Sequence, residues 1–392
     1  MLLGLRDEPM IYLHGATIYT SRGKIEQGAM ICIGEAIRAI GRADDLPCPV
    51  SAQSIDLSGL SLVPGFIDLQ INGAFGMDFT SNPDCIWQVG EQITRFGVIA
   101  FLPTIISSPD ETIQHAQAVL QNGPPSNYQG ARALGLHLEG PYLNPEKSGA
   151  HEPSNLQLPD PKVYGQWNPS TQVRMVTLAP ELPGGIQAIK LLAEKGVLVS
   201  AGHSQASFNQ AMDGIQAGIR YGTHLFNAMP PLDHREPGLV GALLGDTRCA
   251  AGMIVDGYHV HPTMVKLAWN SLGIQRTSLV TDAMAALSMP PGTYELGKRH
   301  LQVDGTTARL EDGRLAGSLL SLDVALRNLM EFTGCSLDEA LPTITQVPAR
   351  LLSLEPSIGG LKPGAAADFV ILNSALDVVE VWINGRTTRP VE

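Results

Sequence analysis

The chain reads as a (β/α)8 barrel joined to a small β-sandwich built from both chain ends. Three observations carry that reading. Eight short apolar segments each precede a loop and a stretch of helical periodicity, which is the signature of parallel strands with helical crossovers. The two chain ends instead alternate short strands with glycine-rich turns. No G-x-G-x-x-G follows an early strand, so an open doubly wound sheet has no support.

The eight segments are Phe66–Gln70, Val98–Pro103, Leu134–Glu139, Val173–Ala179, Val197–Gly202, Ile219–His224, Ala250–Asp256 and Ser278–Asp282. Between them, Ile86, Val89, Ile93 and Phe96 keep helical spacing, as do Ile113, Ala116 and Leu120. Ser108-Pro109-Asp110-Glu111 reads as an N-cap, a proline in the first turn and a capping glutamate. Ser204 is the expected cap of a helix carrying Phe208, Met212 and Ile215. Near the N-terminus, Met10–Tyr19, Ala29–Ile33 and Ile37–Ile40 read as strands; near the C-terminus, Asp368–Leu372 and Val378–Ile383 do, and Asn384-Gly385 is a hairpin signal. The expected boundaries fall near Pro64 and Gly359–Gly364, giving a β unit from residues 1–63 and 359–392 and a barrel from 64–358. There is no internal repeat and no low-complexity segment.

Composition narrows the function. With 44% hydrophobic residues, the 392-residue chain can bury a large core. The 26 basic and 38 acidic residues give a net charge of −12, which argues against nucleic acid and anionic membranes as partners. Any anionic substrate must therefore be drawn by local cations. The five cysteines are odd in number and form no C-x-x-C pair, which fits a reducing compartment. Met1–Leu5 is too short for a signal-peptide core, and no apolar stretch approaches a membrane span. A cytoplasmic protein is expected.

Four polar residues stand at the ends of four apolar segments. Glu139, His203, His224 and Asp282 each fall at the C-terminal tip of an expected strand. In a parallel barrel these tips meet at one mouth. One carboxylate and two imidazoles make a three-ligand set for a metal with an open position for water, and Asp282 would face the same spot. Each residue alone could be a satisfied structural polar group; four at matching positions argue for a site.

Several motifs then show a family resemblance. Pro64-Gly65-Phe66-Ile67-Asp68 and Gly360-Leu361-Lys362-Pro363-Gly364, followed by Ala367-Asp368, resemble the amidohydrolase superfamily. Narrower stretches are His137-Leu138-Glu139-Gly140-Pro141-Tyr142, Gly222-Thr223-His224-Leu225-Phe226-Asn227-Ala228-Met229 and Arg235-Glu236-Pro237-Gly238. In this order they resemble the N-acetylglucosamine-6-phosphate deacetylase family over nearly the whole chain. The resemblance implies removal of acetate from a phosphorylated amino sugar. It implies metal ligands at Glu139, His203 and His224, catalytic groups at Asp282 and His151, and substrate contacts at Ala150, Asn227, Ala228, Arg235, His259, Leu315, Ala316 and Gly317. It also implies a homodimer in which Arg235 reaches the neighbour's site.

Many amidohydrolases carry His-x-His on the first strand and bind two metals, whereas this chain has Gln70-Ile71-Asn72. Amides are poor transition-metal ligands, so one divalent metal per subunit is expected: zinc first, with iron, manganese or cobalt open. Asp282 would act as general base and acid, and the metal with His151 would stabilise the carbonyl oxygen. Arg235 suits the phosphate end, because a guanidinium pairs with phosphate bidentately. His137, two residues before Glu139, is either a supporting or a core histidine; His14, His115 and His300 read as structural or surface groups. Two competing readings are another hydrolase on this scaffold, acting on a cyclic amide or N-acyl amino acid, and a binding protein with a vestigial site.

Overall fold

The computed structural model describes residues 9–388, so the leader reading of Met1–Leu5 lies outside the described residues. Each of the eight expected segments holds a strand: Phe66–Ile71, Val98–Ile106, Leu136–Glu139, Val173–Leu178, Leu198–Ala201, Tyr221–Gly222, Ala250–Met253 and Thr277–Leu279. They pair in parallel with their neighbours in chain order. The ring closes where Ile71 bridges Ala283 and the Asp282 N–H donates to the Gln70 carbonyl at 2.8 Å. All nine residues of Val98–Ile106 are buried, as expected of strands covered by helices outside and by one another's side chains within.

Two expected helix caps fall elsewhere. The helix Asp110–Asn122 does bury Ile113, Ala116 and Leu120, but Pro109 is its cap and Ser108 makes no capping bond. Pro109 is extended, at φ −58° and ψ 152°, so the first turn begins one residue later than expected. The helix Phe208–Ala217 is capped by Ser207 in a reciprocal box with Gln210, while the Ser204 hydroxyl donates to Glu181 at 2.7 Å. The box requires a Gln or Glu three residues after the cap. Ser207 has one and Ser204 does not.

The chain ends share one eight-stranded sheet. Its joint is the antiparallel pair of Ser61–Pro64 with Phe369–Leu372. The sheet returns on itself where Ala36 bridges Ala366, enclosing Leu13, Ile18, Met30, Leu62, Phe369 and Trp382. Asn384 and Gly385, at φ 51° and 71°, form the two-residue turn between Val378–Ile383 and Arg386–Thr387. Arg132 ties this sheet to the barrel, pairing with buried Asp368 and donating to Asn384 Oδ1 at 2.9 Å.

One element went unread in the sequence. After the last barrel strand, Gly292–Leu296, Arg299–Val303 and Ala308–Arg309 form a three-stranded flap with its own apolar cluster, including Ile106, Met284, Leu301 and Ala316. Among the described residues, no helix is long and apolar enough to cross a membrane.

Candidate metal centre and active site

The four strand-tip residues converge at the barrel mouth. Glu139 ends its strand, His203 and His224 stand two residues beyond theirs, and Asp282 stands three beyond. His203, His224 and Asp282 have φ of 51°, 24° and 48°. L-residues seldom adopt such angles, at a cost of about 1–3 kcal/mol each, and they persist where surrounding structure over-determines them.

Glu139 Oε1 lies 3.0 Å from His224 Nε2 and 3.5 Å from His203 Nε2, and the two imidazole nitrogens lie 3.1 Å apart. These are separations expected of atoms sharing one ion at bonds of about 2.0–2.1 Å. By proximity alone, Glu139, His151 and His203 also form a candidate cluster. Hydrogen bonding decides against His151. The Ser107 N–H points at its Nδ1 at 3.2 Å, so Nδ1 accepts and Nε2 carries the proton. His203 is the reverse case: its Nδ1 faces the Lys147 carbonyl at 2.7 Å and must donate, which leaves the Nε2 lone pair for a metal. Glu139, His203 and His224 are therefore the set that fits a divalent ion.

Electrostatics agree with a cation site. Burial opposes the Glu139 charge, but contacts from the three imidazoles hold its carboxyl well below the ordinary value. Burial disfavours a charged His224, and adjacent Glu139 outweighs it, so its pKa rises. The same negative field would hold a metal ion. Burial, then the His203 charge, pushes His151 down to about 4, so it is neutral at pH 7.

The first-strand amides act as donors, not ligands. Gln70 Nε2 bridges Glu139 Oε1 at 2.9 Å and Asp282 Oδ1 at 3.2 Å, and its Oε1 accepts from Thr223 at 2.5 Å. Asn72 Nδ2 donates to Asp282 Oδ1 at 2.7 Å. Burial, then the Glu139 charge, raises Asp282 to about 6. A carboxylate poised near neutrality can both take and return a proton.

A cavity of about 390 Å3 opens over this centre. It is lined by Asn72, Glu139, His151, His203, His224 and Asp282 together with Ala150, Asn227, Ala228, His259, Leu315, Ala316 and Gly317. His259 is oriented by Asp256, whose Oδ2 lies 2.6 Å from its Nδ1. Burial opposes the Asp256 charge, yet His259 brings that carboxyl below its ordinary value. Arg235 is the exception: it is exposed and lines no part of this chain's own cavity. His137 is fully buried between Thr104 Oγ1 at 3.2 Å and Thr177 Oγ1 at 2.7 Å, and reads as a core histidine. His115 and His300 are surface groups paired with Asp84 and Glu295, and His14 stacks on Tyr12.

Sequence reasoning missed the flap residues Leu296 and Arg314 and the loop residues Glu146 and Lys147, all on the cavity wall. Lys147 stands four residues before His151, a cation close in sequence to a candidate site residue; the flap carries no such signal.

Comparison with known proteins agrees with this geometry. The amidohydrolase family profile matches residues 61–388. The human N-acetylglucosamine-6-phosphate deacetylase is 40% identical over 352 residues, covering 86% of this chain and 85% of that protein. The N-acetylgalactosamine-6-phosphate deacetylase of Escherichia coli O157:H7 is 39% identical over 348 residues, covering 87% and 90%. Among solved structures, the N-acetylglucosamine-6-phosphate deacetylase of Pasteurella multocida superposes with a TM-score of 0.90 at 31% identity, covering 96% of this chain and 99% of that one. A variant of the Mycobacterium smegmatis deacetylase in complex with N-acetyl-D-glucosamine-6-phosphate superposes equally well, at 0.90 and 32% identity, over 97% and 99%. The chain belongs to the amidohydrolase family and, within it, to the group of the N-acetylglucosamine-6-phosphate deacetylases.

Proposed function

We propose that the protein hydrolyses the acetamido group of N-acetyl-D-glucosamine 6-phosphate to D-glucosamine 6-phosphate and acetate, in amino-sugar catabolism. One observation carries the reading: a three-ligand set, a neutral Nε2–H donor and a buried carboxylate face one cavity of about 390 Å3, a size suited to a small ligand. Glu139, His203 and His224 hold one divalent ion, zinc first. When bound, such an ion supplies Lewis acidity and acidifies water.

The remaining chemistry belongs to the side chains. Asp282 takes the proton of the attacking water and returns it to the amine nitrogen as the C–N bond breaks. His151 Nε2–H donates to the carbonyl oxygen as negative charge builds there. Ser107 fixes that ring from behind. Asn227, Ala228 and His259 receive the sugar phosphate, with Ala150 and Leu315–Gly317 around the ring. Arg235 completes the phosphate site of the neighbouring subunit in a homodimer, which accounts for its exposure in the single chain. The five free cysteines fit a cytoplasmic setting.

Acetate release tests the reading. Phosphorylated N-acetylglucosamine and N-acetylgalactosamine are assayed against their unphosphorylated forms, an N-acetyl amino acid and a cyclic amide. Strong preference for a phosphorylated sugar is expected. Preference for the cyclic amide or the amino acid would replace this reading with another hydrolase on the same scaffold.

A further inference from the structure

We infer that Lys147 is a phosphate-binding residue supplied by the same subunit whose cavity it lines; the inference rests on the function proposed above. The chain carries a net charge of −12, so a dianionic substrate needs cations close at hand. Apart from histidines, the cations on the cavity wall are Lys147 and Arg314.

Arg314 is already engaged. Its Nε and Nη2 hold Asp312 at 2.9 and 2.6 Å, and its Nη1 donates to the Gly149 carbonyl at 2.9 Å. Its charge is matched and its hydrogen bonds are directed at the flap and the Gly149 loop. Lys147 differs. Its ammonium donates to the Met229 carbonyl at 2.9 Å and, among the described residues, pairs with no carboxylate. An ammonium has three N–H groups, so two remain. The acid beside it, Glu146, is engaged by the Gln205 amide at 3.3 Å.

Placement points the same way. Met229 directly follows Asn227 and Ala228, both on the cavity wall, so the Lys147 head group is anchored on that side of the site. Two free donors and a positive charge that no carboxylate among the described residues pairs with suit a phosphate, for which lysine serves as a point charge. The backbone of the same residue orients His203, so one residue touches both the metal ligand and the phosphate side.

The test measures kcat/KM on N-acetylglucosamine with and without the 6-phosphate, plus metal content, for wild type, K147Q and K147R. Glutamine keeps a donor for Met229 and removes the charge. K147Q should lose at least tenfold of the wild-type preference for the phosphorylated sugar, K147R should keep most of it, and metal content should stay at the wild-type level in both. A K147Q enzyme with undiminished preference, or one that loses metal and declines equally on both sugars, overturns the role. Wild type without any preference for the phosphate would instead bring down the proposed function, and this inference with it.

Discussion

His203 Nδ1 faces the backbone carbonyl of Lys147 at 2.7 Å, and this single contact determines which ring nitrogen is free. A carbonyl can only accept, so Nδ1 keeps its proton and Nε2 offers a lone pair beside Glu139 and His224. The loop that makes this contact fits tightly. Gly149, at φ 59°, would bring a Cβ to 2.9 Å from the His203 ring, so a side chain there would push that ring aside. His151, on the same loop, has the opposite tautomer because Ser107 donates to it. Two histidines whose rings lie 4.5 Å apart thus present different groups to one cavity, a lone pair from His203 and an N–H from His151.

Metal dependence follows from the three-ligand set. Chelation should abolish activity, and a divalent ion should restore it. His224→Ala should lower metal content and activity together while circular dichroism keeps the barrel signature, since residues at the barrel mouth serve function more than stability. Full turnover by metal-free protein would refute the assignment.

Asp282→Asn preserves volume and removes the proposed base. Metal and substrate should still bind, and kcat should fall by roughly 10²–10⁴. The backbone N–H of Asp282 still closes the ring to Gln70, so thermal unfolding should change little. An unaltered kcat would mean that the proton is taken by another group.

Arg235 lies outside the cavity of its own chain, and in the proposed homodimer its loss should be felt across the subunit boundary. Arg235→Ala should lower kcat/KM on the phosphorylated sugar about ten- to hundredfold, the worth of one charged hydrogen bond at roughly 1.5–3 kcal/mol. Mixing inactive D282N with R235A protein, then allowing subunits to exchange, should restore activity above either parent. Absence of any recovery in confirmed mixed dimers would place Arg235 in its own subunit's chemistry or in a structural role.

Asp68 should make stability depend on pH. It is buried on the first strand, accepting from Thr281 Oγ1 at 2.6 Å, and burial raises its pKa to about 7. The folded state therefore holds a proton that the unfolded state, with a pKa near 4, has already released. Its contribution is fully present below about pH 4 and is lost as pH rises toward 7, by at most about 1.4 kcal/mol per pH unit. Asp68→Asn can keep the accepted N–H bonds and donate to Thr281, whose hydroxyl can turn to the Gln70 carbonyl at 3.3 Å. Between pH 5 and 8, the fall in Tm should be shallower in this variant than in wild type. Parallel curves would show that Asp68 does not titrate in that window.

The sequence by itself determined the barrel, since eight apolar runs with helical spacing between them permit little else, and it put Glu139 at a strand end and His203, His224 and Asp282 within three residues of one, because the end of an apolar run marks where the chain leaves the barrel wall. It also carried the Ser207–Gln210 capping box, which caps the helix in place of Ser204. Tertiary structure alone decided the rest. Tautomers are set by partners 44 and 56 residues away in the chain, as with Ser107 for His151 and Lys147 for His203. The left-handed turns at His203, His224 and Asp282 oppose local preference and exist only because the surrounding structure enforces them. Gln70 could be read as a missing ligand but not as a bridge between Glu139 and Asp282, which stand 69 and 212 residues away. Local propensity acts over a few residues; the chemistry of this site depends on contacts that exist only once the barrel has closed.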